Sequence, residues 1–255
     1  MTSALIGHTG FVGGFLSGLE RFDLLIHRAN VDWLRRRSLD RVVCAGLPAA
    51  KWIANREPNA DRANMLLLCD TLRTVTAGSF VLISTIDVYP RIQDADEEFD
   101  CGAAPNHPYG RHRLEFEQFV RERFPHALIL RLPALFGPGL RKNVLFDLMT
   151  GNQLEKVNPA SSFQWYPLER LPEDIERAQR HELRLANLFT EPLATGAIVE
   201  RCFPDVELGL GAQAQPAVHY DLQTRYAHVF GGAGRYVMSA ASALDAIGSF
   251  CGVPA

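Results

Sequence analysis

Short apolar runs alternate with stretches of helical periodicity through the first half of the chain. Runs of strand length are typical of buried strands, and apolar residues three or four apart are typical of helices that cover a sheet. The predicted strands cover residues 4–6, 22–26, 41–46, 80–85 and 127–132. Because predicted strands and helices alternate, we expect an α/β fold with a parallel, doubly wound sheet.

Two of the predicted helices carry residues that matter later. The first follows Asp61, which we expect to cap its N-terminus. Its buried stripe is predicted to contain Leu67, Leu68, Thr71 and Leu72.

The second of these helices begins near Tyr109 and is stopped by Pro125. Tyr109 and Arg113 lie one turn apart on a face that continues with the apolar Phe116 and Val120. Because an apolar face packs against the sheet, we expect Tyr109 and Arg113 to point inward.

The alternation ends near residue 140. The later elements predicted are a helix from residue 172, a last strand over 183–189 and a helix over 240–250. We therefore predict a domain of residues 1–139, which the returning strand near residues 183–198 completes. Residues 140–182 and 199–255 are predicted to form a small lid and the C-terminal segment.

Length and charge limit the class of protein. The 255-residue chain has 47% apolar residues and a formal net charge of -3, which is typical of a globular enzyme. Nucleic-acid binders and polybasic membrane-surface proteins carry an excess of positive charge, so neither partner is expected. No apolar run is long enough to span a bilayer and no cationic leader precedes the first one, so we predict a cytoplasmic location.

The cysteines and the acidic residues do not form a recognisable metal motif. The five cysteines are odd in number, scattered and without a Cys-x-x-Cys pair, which predicts reduced thiols with neither zinc nor disulfides. Cys101 is in a polar loop and is the cysteine expected to be exposed. The acidic run at residues 94–100 lacks the glycine and spacing of a calcium loop, so we predict a solvated loop.

Glycines occur at positions 7, 10 and 13, between the first predicted strand and the next helix. Gly7 is placed to supply a tight turn, Gly10 to let the backbone approach a pyrophosphate and Gly13 to let helix and strand pack closely. The free N–H groups and positive dipole end of the helix favour phosphate there. We therefore predict a dinucleotide site that includes Gly7, Thr9, Gly10, Phe11, Val12 and Gly13.

The ends of the following strands add to this site. An acidic residue after the second strand would select the free ribose hydroxyl of NAD. Arg28 is found in that region instead, and its guanidinium suits a 2′-phosphate, so NADP is favoured over NAD; a solvated loop residue is the alternative. The third strand ends in small residues that leave room for a cofactor, namely Cys44, Ala45 and Gly46.

Three features now coincide: the glycine turn at Gly7, the hydroxyl pair Ser84 and Thr85 at the carboxyl end of a strand, and Tyr109 at the head of an inward-facing helix. Together they resemble the short-chain dehydrogenase/reductase superfamily, in particular its extended branch of NAD(P)-dependent sugar-nucleotide epimerases, dehydratases and reductases. The resemblance covers residues 1–140 and is only general beyond them. It implies a Rossmann fold whose cofactor contacts extend to Ser84, Tyr109, Arg113 and Pro133.

In that superfamily a Ser or Thr orients the reacting oxygen, a Tyr is the general acid/base, and a Lys four residues later holds the ribose and lowers the pKa of the Tyr. The resemblance gives these roles to Thr85, Tyr109 and Arg113. Arg113 keeps the positive charge that biases Tyr109 toward phenolate, but a guanidinium does not release a proton. The chain has three lysines, none of them on this helix: Lys51, Lys142 and Lys156. Whether Lys51 approaches the cofactor from another side is left open.

A second departure concerns the type of reaction. Dehydratases of this branch carry Thr-Asp-Glu where this chain has Thr85-Ile86-Asp87, so dehydration is disfavoured. We therefore expect an NADP-dependent reductase or epimerase that acts on a sugar, in particular a nucleotide sugar. The residues expected to bind substrate are Asp87, Arg141, Lys142, Gln164, Trp165 and Tyr166, with ordinary lid packing as the alternative for the aromatic ones.

Two other hypotheses remain beside this one. A dinucleotide-binding sensor or assembly subunit with weakened catalysis is favoured by Arg113. An isomerase that retains NAD through its catalytic cycle is the third. The resemblance also implies a homodimer formed through the helix of Tyr109.

Overall fold

The computed structural model describes residues 2–208 and 215–253. Residues 209–214 and 254–255 of the predicted lid and C-terminal segment lie outside the described residues. The chain separates into two compact units. The first consists of Met1–Pro90, Phe99–Arg131 and Ala178–Ala186, and the second of Arg91–Glu98, Leu132–Arg177 and Asn187–Ala255.

The first unit alternates strands with helices, as the hydrophobic pattern predicts. Its elements are β1 (Ser3–Ile6), α1 (Phe11–Leu19), β2 (Leu24–Ile26), β3 (Ser38–Cys44), α2 (Lys51–Arg56), α3 (Pro58–Leu72), β4 (Thr76–Thr85), α4 (Pro108–Arg123) and β5 (Leu128–Leu132). Short 3₁₀ turns follow β2 at Arg28–Leu34 and β4 at Ile86–Val88.

The remaining elements follow β5 along the chain. They are β6 (Ala134–Phe136), α5 (Val144–Thr150), β7 (Ser162–Phe163), β8 (Trp165–Pro167), α6 (Leu171–Arg180), β9 (Leu185–Asn187), β10 (Leu193–Ala194), α7 (Thr195–Cys202) and α8 (Ala240–Phe250). The strand predicted over 183–189 is β9, and the helix predicted over 240–250 is α8. In the second unit β6 pairs with β8 in parallel, and β7 pairs with β10 antiparallel.

The central sheet has six strands in the order β2-β1-β3-β4-β5-β9. β1 pairs in parallel with both β2 and β3, and β3 pairs in parallel with β4. The strand order reverses at β1, which has β2 on one side and β3 on the other. Ligands of open α/β sheets bind at the carboxyl ends of the strands at such a switch point. The predicted α/β, Rossmann-like fold is thus confirmed.

The core of the first unit lies between this sheet and its helices. It joins strand residues such as Val42 and Leu82 to helix residues such as Met65 and Phe116, all at most 3% exposed. Leu68, Thr71 and Leu72 are buried in α3 as predicted, but the prediction for Leu67 is wrong because its side chain is 40% exposed. A separate apolar core in the second unit includes Phe136, Trp165, Ile198 and Ile247.

None of the helices in the described part of the chain is both long and apolar enough to cross a membrane.

Candidate active site

The turn after β1 depends on glycine at two positions. Gly7 has a φ of +88°, and a Cβ there would lie 2.3 Å from the carbonyl oxygen of Ala45. A Cβ on Gly13 would lie 2.2 Å from the carbonyl oxygen of Gly7. Any larger residue would push α1 away from the turn, so Gly7 makes the turn and Gly13 allows close packing, in agreement with the sequence analysis.

The first turn of α1 has a composition that suits an anion. Gly10 is the N-cap of α1 and has no side chain with which to accept the first N–H groups. Such N–H groups, with the positive end of the helix dipole, bind phosphate. Thr9 is exposed, and Phe11 and Val12 are half-buried beside it. The residues present therefore fit the pyrophosphate of a dinucleotide.

The end of β3 lies directly against this turn. Ala45 donates its N–H to the carbonyl of Ile6 at 2.8 Å, and a Cβ on Gly46 would lie 2.6 Å from the Ile6 side chain. Cys44 is fully buried, and burial raises the pKa of its thiol to about 12. Its side chain therefore belongs to the core, and Ala45 and Gly46 form the surface next to the turn. Arg28 is exposed at the start of the 3₁₀ turn after β2.

Thr85 and Tyr109 meet at the carboxyl end of β4. Thr85 is the last residue of β4, and its Oγ1 accepts the N–H of Asp87 at 3.2 Å. Tyr109 is in the first turn of α4, where its N–H donates to the side chain of Asn55 at 2.9 Å. The Tyr109 side chain is buried, and the Thr85 hydroxyl is close enough to lower the pKa of its phenol. The structure thus brings together the two hydroxyls that the sequence analysis pairs.

Arg113 packs against the ring of Tyr109 and is hydrogen-bonded to two other groups. Its guanidinium lies 4.0 Å from the centre of the Tyr109 ring and donates to the carboxylate of Asp61 and to the carbonyl of Pro48. Asp61 also binds Nδ1 of His112 at 2.7 Å. The Arg113 side chain is 5% exposed, so its charge is paired with a buried carboxylate. Two of its nitrogens are therefore committed to the protein.

The acidity of Tyr109 is set by opposing effects. Burial raises the pKa of Tyr109 above its ordinary value, and the negative charge of Asp87 adds to this. The charges of Arg113 and Lys51 and the Thr85 hydroxyl act in the opposite direction but do not outweigh burial. Arg113 thus acts toward phenolate as expected, but desolvation of the phenolate dominates and the net pKa stays raised.

Asp87 is held between Lys51 and His107. Its Oδ1 lies 2.5 Å from Nζ of Lys51 and 3.8 Å from Nε2 of His107. Burial acts to raise the pKa of Asp87, but the neighbouring His107 side chain and the charge of Lys51 outweigh it and lower the pKa. Asn106 donates to the Asp87 carbonyl at 2.9 Å. A Cβ on Gly110 would lie 2.0 Å from the same carbonyl oxygen, so only glycine fits after Tyr109.

Several of these residues escaped the sequence analysis. Asp61 was expected to cap a helix, but α3 begins earlier at Pro58, and Asp61 instead binds Arg113 and His112. No local pattern marks Asn55 as part of the site. His107 carries one signal in the sequence, since it precedes a proline at a helix start, and in the structure it accepts the N–H of Gly110 as the N-cap.

Ser84 faces another group. Its hydroxyl donates to Glu117 at 2.5 Å, and Glu117 is paired with Arg131 at 2.7 Å. Glu117 is fully buried and Arg131 nearly so. The Ser84 hydroxyl is thus committed to a buried ion pair, which corrects the expectation that it faces the cofactor.

The residues predicted to bind substrate in the second unit separate into two groups. Gln164 is buried and donates to the carbonyls of Thr190 and Leu222, while Tyr166 is buried and donates to Asp174. Trp165 is 1% exposed. Interior packing, the stated alternative for the aromatic residues, therefore describes Trp165 and Tyr166, and the prediction that Gln164 binds substrate is wrong because backbone groups satisfy its buried amide. The other group, Arg141 and Lys142, is exposed, and Pro133 is buried just after β5.

One loop expectation is corrected and another is met except at one residue. Cys101 was expected to be exposed but is 4% exposed. In the acidic run Asp94, Glu98 and Asp100 are exposed, as expected of a solvated loop. Glu97 is the exception, since it accepts the N–H groups of Asn187 and Arg225 and the hydroxyl of Thr224. Among the described residues, no three His, Cys, Asp or Glu side chains are grouped so as to hold a metal ion.

The site combines a glycine turn at the switch point of a parallel sheet with two hydroxyls, Thr85 at the end of β4 and Tyr109 at the start of α4. These features define a dinucleotide-binding α/β protein of the short-chain dehydrogenase/reductase type. The sequence profile of the NAD dependent epimerase/dehydratase family matches residues 4–160. The chain therefore belongs to this family.

Solved structures share the fold over nearly the whole chain. RMD from Pseudomonas aeruginosa, complexed with NADPH, is 17% identical, with 98% of this chain and 99% of that chain covered and a TM-score of 0.72. The dTDP-4-dehydrorhamnose reductase from Yersinia enterocolitica is 15% identical, with 98% and 100% covered and a TM-score of 0.70. The UDP-glucuronic acid 4-epimerase from Bacillus cereus, in complex with NAD, is 15% identical, with 98% and 96% covered and a TM-score of 0.71.

The cofactors in these structures, NADPH in one and NAD in another, agree with the prediction of NADP or NAD. The search of curated proteins gave no significant match.

Proposed function

We propose that the protein is an NADP-dependent reductase that acts on the keto group of a nucleotide sugar, with epimerisation of such a sugar as the closely related alternative. The observation that carries this proposal is the approach of the Thr85 hydroxyl to Tyr109 at the end of β4, in the same sheet as the glycine turn after β1. Family membership supports the use of a nicotinamide cofactor.

The nicotinamide, when bound, supplies or accepts the hydride. The protein handles the proton: Tyr109 gives it to, or takes it from, the substrate oxygen, and Thr85 orients that oxygen. Because burial raises the pKa of Tyr109, its phenol is protonated at neutral pH and is ready to donate. Donation to a carbonyl oxygen is the step that ketone reduction needs, so the protonated phenol is the form of Tyr109 that reduction uses.

Arg28 supports NADP over NAD. It is exposed where the chain leaves β2, and a guanidinium forms paired hydrogen bonds with phosphate. The sequence from Ile26 to Asn30 offers no carboxylate for a free ribose hydroxyl.

The nucleotide-sugar substrate is inferred from similarity and charge. The relatives of known structure include a dTDP-4-dehydrorhamnose reductase and a UDP-glucuronic acid 4-epimerase. Arg141 and Lys142 are exposed cations whose chemistry suits a diphosphate. Asp87, held by Lys51 and His107, is placed beside Thr85 to contact the sugar. Homodimerisation through α4 and a cytoplasmic location stay predictions.

Two assays test this function. Nicotinamide fluorescence measures NADPH binding, and loss of NADPH absorbance measures turnover with a panel of keto-sugar nucleotides. We expect saturable binding and consumption with at least one member of the panel. Failure to bind either pyridine nucleotide overturns the proposal.

A dinucleotide-responsive sensor is the second candidate, and one observation favours it. Arg113 is committed to Asp61 and Pro48, so the residue at the position of the family lysine is already engaged within the protein. NADPH binding without consumption across the whole panel would favour this second candidate.

A further inference from the structure

Helix α4 carries no lysine, yet a lysine reaches the same site from a different element. Lys51 opens α2 (Lys51–Arg56), which follows β3, and its ammonium lies 2.5 Å from Asp87. We propose that Lys51 is a positioning residue of the catalytic site, which neutralises Asp87 beside Tyr109 and so takes over part of the electrostatic role of the missing lysine. This inference rests on the proposed function.

The local geometry connects Lys51 to the reacting hydroxyls through two contacts. Lys51 binds the carboxylate of Asp87, and the N–H of Asp87 donates to the Thr85 hydroxyl oxygen at 3.2 Å. Thr85 in turn acts on the phenol of Tyr109, whose pKa it lowers. The carboxylate is 17% exposed, so it is only partly screened by water, and its charge acts on the buried phenol.

The charged groups around Tyr109 come from its own helix and from the neighbouring elements. Arg113 lies on the same helix, and Asp61 of α3 pairs with it. His107, the N-cap of α4, has its ring centre 6.3 Å from that of Tyr109 and also contacts Asp87. The charges of Arg113 and Asp61 cancel each other. The pKa of Tyr109 therefore depends on the charge of Asp87 and on its two partners, Lys51 and His107.

Lys51 differs from Arg113 in the carboxylate that it neutralises. Arg113 is 5% exposed and pairs with Asp61, whereas Lys51 is 41% exposed and pairs with Asp87, whose charge acts on Tyr109. When Lys51 is absent, the negative charge of Asp87 faces Tyr109 without that cation.

The two members of the pair are therefore expected to act in opposite directions. Without Lys51 the phenolate of Tyr109 becomes less stable, and without the carboxylate of Asp87 it becomes more stable. A role confined to holding the fold would instead make both variants fail in the same way. The sign of the effect separates the two explanations.

NMR of the full chain with tyrosine labelled at ¹³Cζ measures this directly and needs no substrate. The Tyr109 signal, assigned by its loss in Tyr109→Phe, is followed as pH rises for the wild type, Lys51→Met, Lys51→Arg, Asp87→Asn and the double variant. At about pH 10 we expect the ionised fraction of Tyr109 to fall about threefold to tenfold in Lys51→Met and to rise in Asp87→Asn. Lys51→Arg keeps the charge and should stay near the wild type, and the double variant should lie between the single ones.

The chain has six tyrosines, so the other five signals report whether each variant is folded. If Lys51→Met fails to fold, the rise in Asp87→Asn and the unchanged value in Lys51→Arg carry the test. An unchanged Tyr109 titration in Lys51→Met, or the same direction of shift in both single variants, overturns the proposal. Because the readout is ionisation and not turnover, it separates failure of this inference from failure of the proposed function, which the NADPH assays test.

Discussion

The guanidinium of Arg113 lies 4.0 Å from the centre of the Tyr109 ring and is held there by the carboxylate of Asp61. This arrangement sets a buried cation on the face of the ring. The backbone N–H of Tyr109 is held from another element, since it donates to the side chain of Asn55 in α2.

Loss of the Asp61 carboxylate should destabilise the fold. In Asp61→Asn the buried Arg113 loses its ion-pair partner, and His112 loses the carboxylate that it contacts. We expect the free energy of unfolding to fall by about 3–5 kcal/mol in urea denaturation, because removal of one partner leaves a buried charge uncompensated.

Asp70→Asn is the matched control for Asp61→Asn. Asp70 is on the same helix and pairs with Arg73, but both side chains are more than half exposed. Solvent-screened ion pairs on the surface contribute about 0–1 kcal/mol to the free energy of unfolding. Equal losses in the two variants would show that burial of the Asp61 pair has no special weight.

The glycine turn gives a second prediction. In Gly13→Ala the new methyl group would collide with the Gly7 carbonyl, so α1 must shift away from β1. We expect NADPH affinity, measured by fluorescence titration, to fall at least about tenfold, because the N–H groups of the first turn no longer converge on the phosphates.

Gly18→Ala provides the control on the same helix. A Cβ at Gly18 meets no atom within 4 Å, and Ala is the better helix former by about 0.5–1 kcal/mol. We expect this variant to keep its NADPH affinity and to gain slightly in stability. An unchanged affinity in Gly13→Ala would argue against phosphate binding at this turn.

Contacts between residues that are close in sequence are predictable from local patterns, whereas contacts between residues far apart in sequence are not. The glycine turn and the inward face of α4 follow from spacing within one element, so Gly7, Gly13 and Tyr109 are placed correctly. The partners of that face come from segments tens of residues away. Asp61 is 52 positions from Arg113 and Lys51 is 36 from Asp87, and no local pattern pairs them.

Polar residue type also gives a wrong prediction where a polar side chain is buried. Gln164 is polar and was expected to bind a ligand, but it is buried because backbone groups of Thr190 and Leu222 satisfy its amide. Glu97 in the acidic run is a similar case, because its carboxylate accepts hydrogen bonds from Asn187, Thr224 and Arg225. A single sequence shows the polar residue but not the partners that allow its burial.

Cofactor selectivity provides a third prediction. Arg28→Ala removes the guanidinium proposed to bind the 2′-phosphate, so the Kd for NADPH should rise about tenfold while that for NADH changes little. Arg21→Ala, which removes another charge before β2, is the control for a general loss of positive charge. Parallel losses for the two nucleotides in Arg28→Ala would assign Arg28 to the solvated loop instead.

The pH dependence of reduction follows from the raised pKa of Tyr109. A general acid is active in its protonated form, and this form of Tyr109 persists from neutral pH up to its raised pKa. The rate of ketone reduction should therefore stay level from about pH 6 to 9 and fall only at higher pH. A fall with its midpoint near neutrality would show that Tyr109 ionises more easily than its burial implies.

The comparison of Tyr109→Phe with the wild type, in both NADPH binding and NADPH-dependent reduction of a keto-sugar nucleotide, tests the central claim most directly. Phenylalanine keeps the ring that packs on Arg113 and removes only the hydroxyl that Thr85 approaches. We predict that the Kd for NADPH stays within about threefold, while turnover falls by about 10²–10⁴-fold. Equal turnover by the two proteins would contradict the assignment of Tyr109 as the group that transfers the proton.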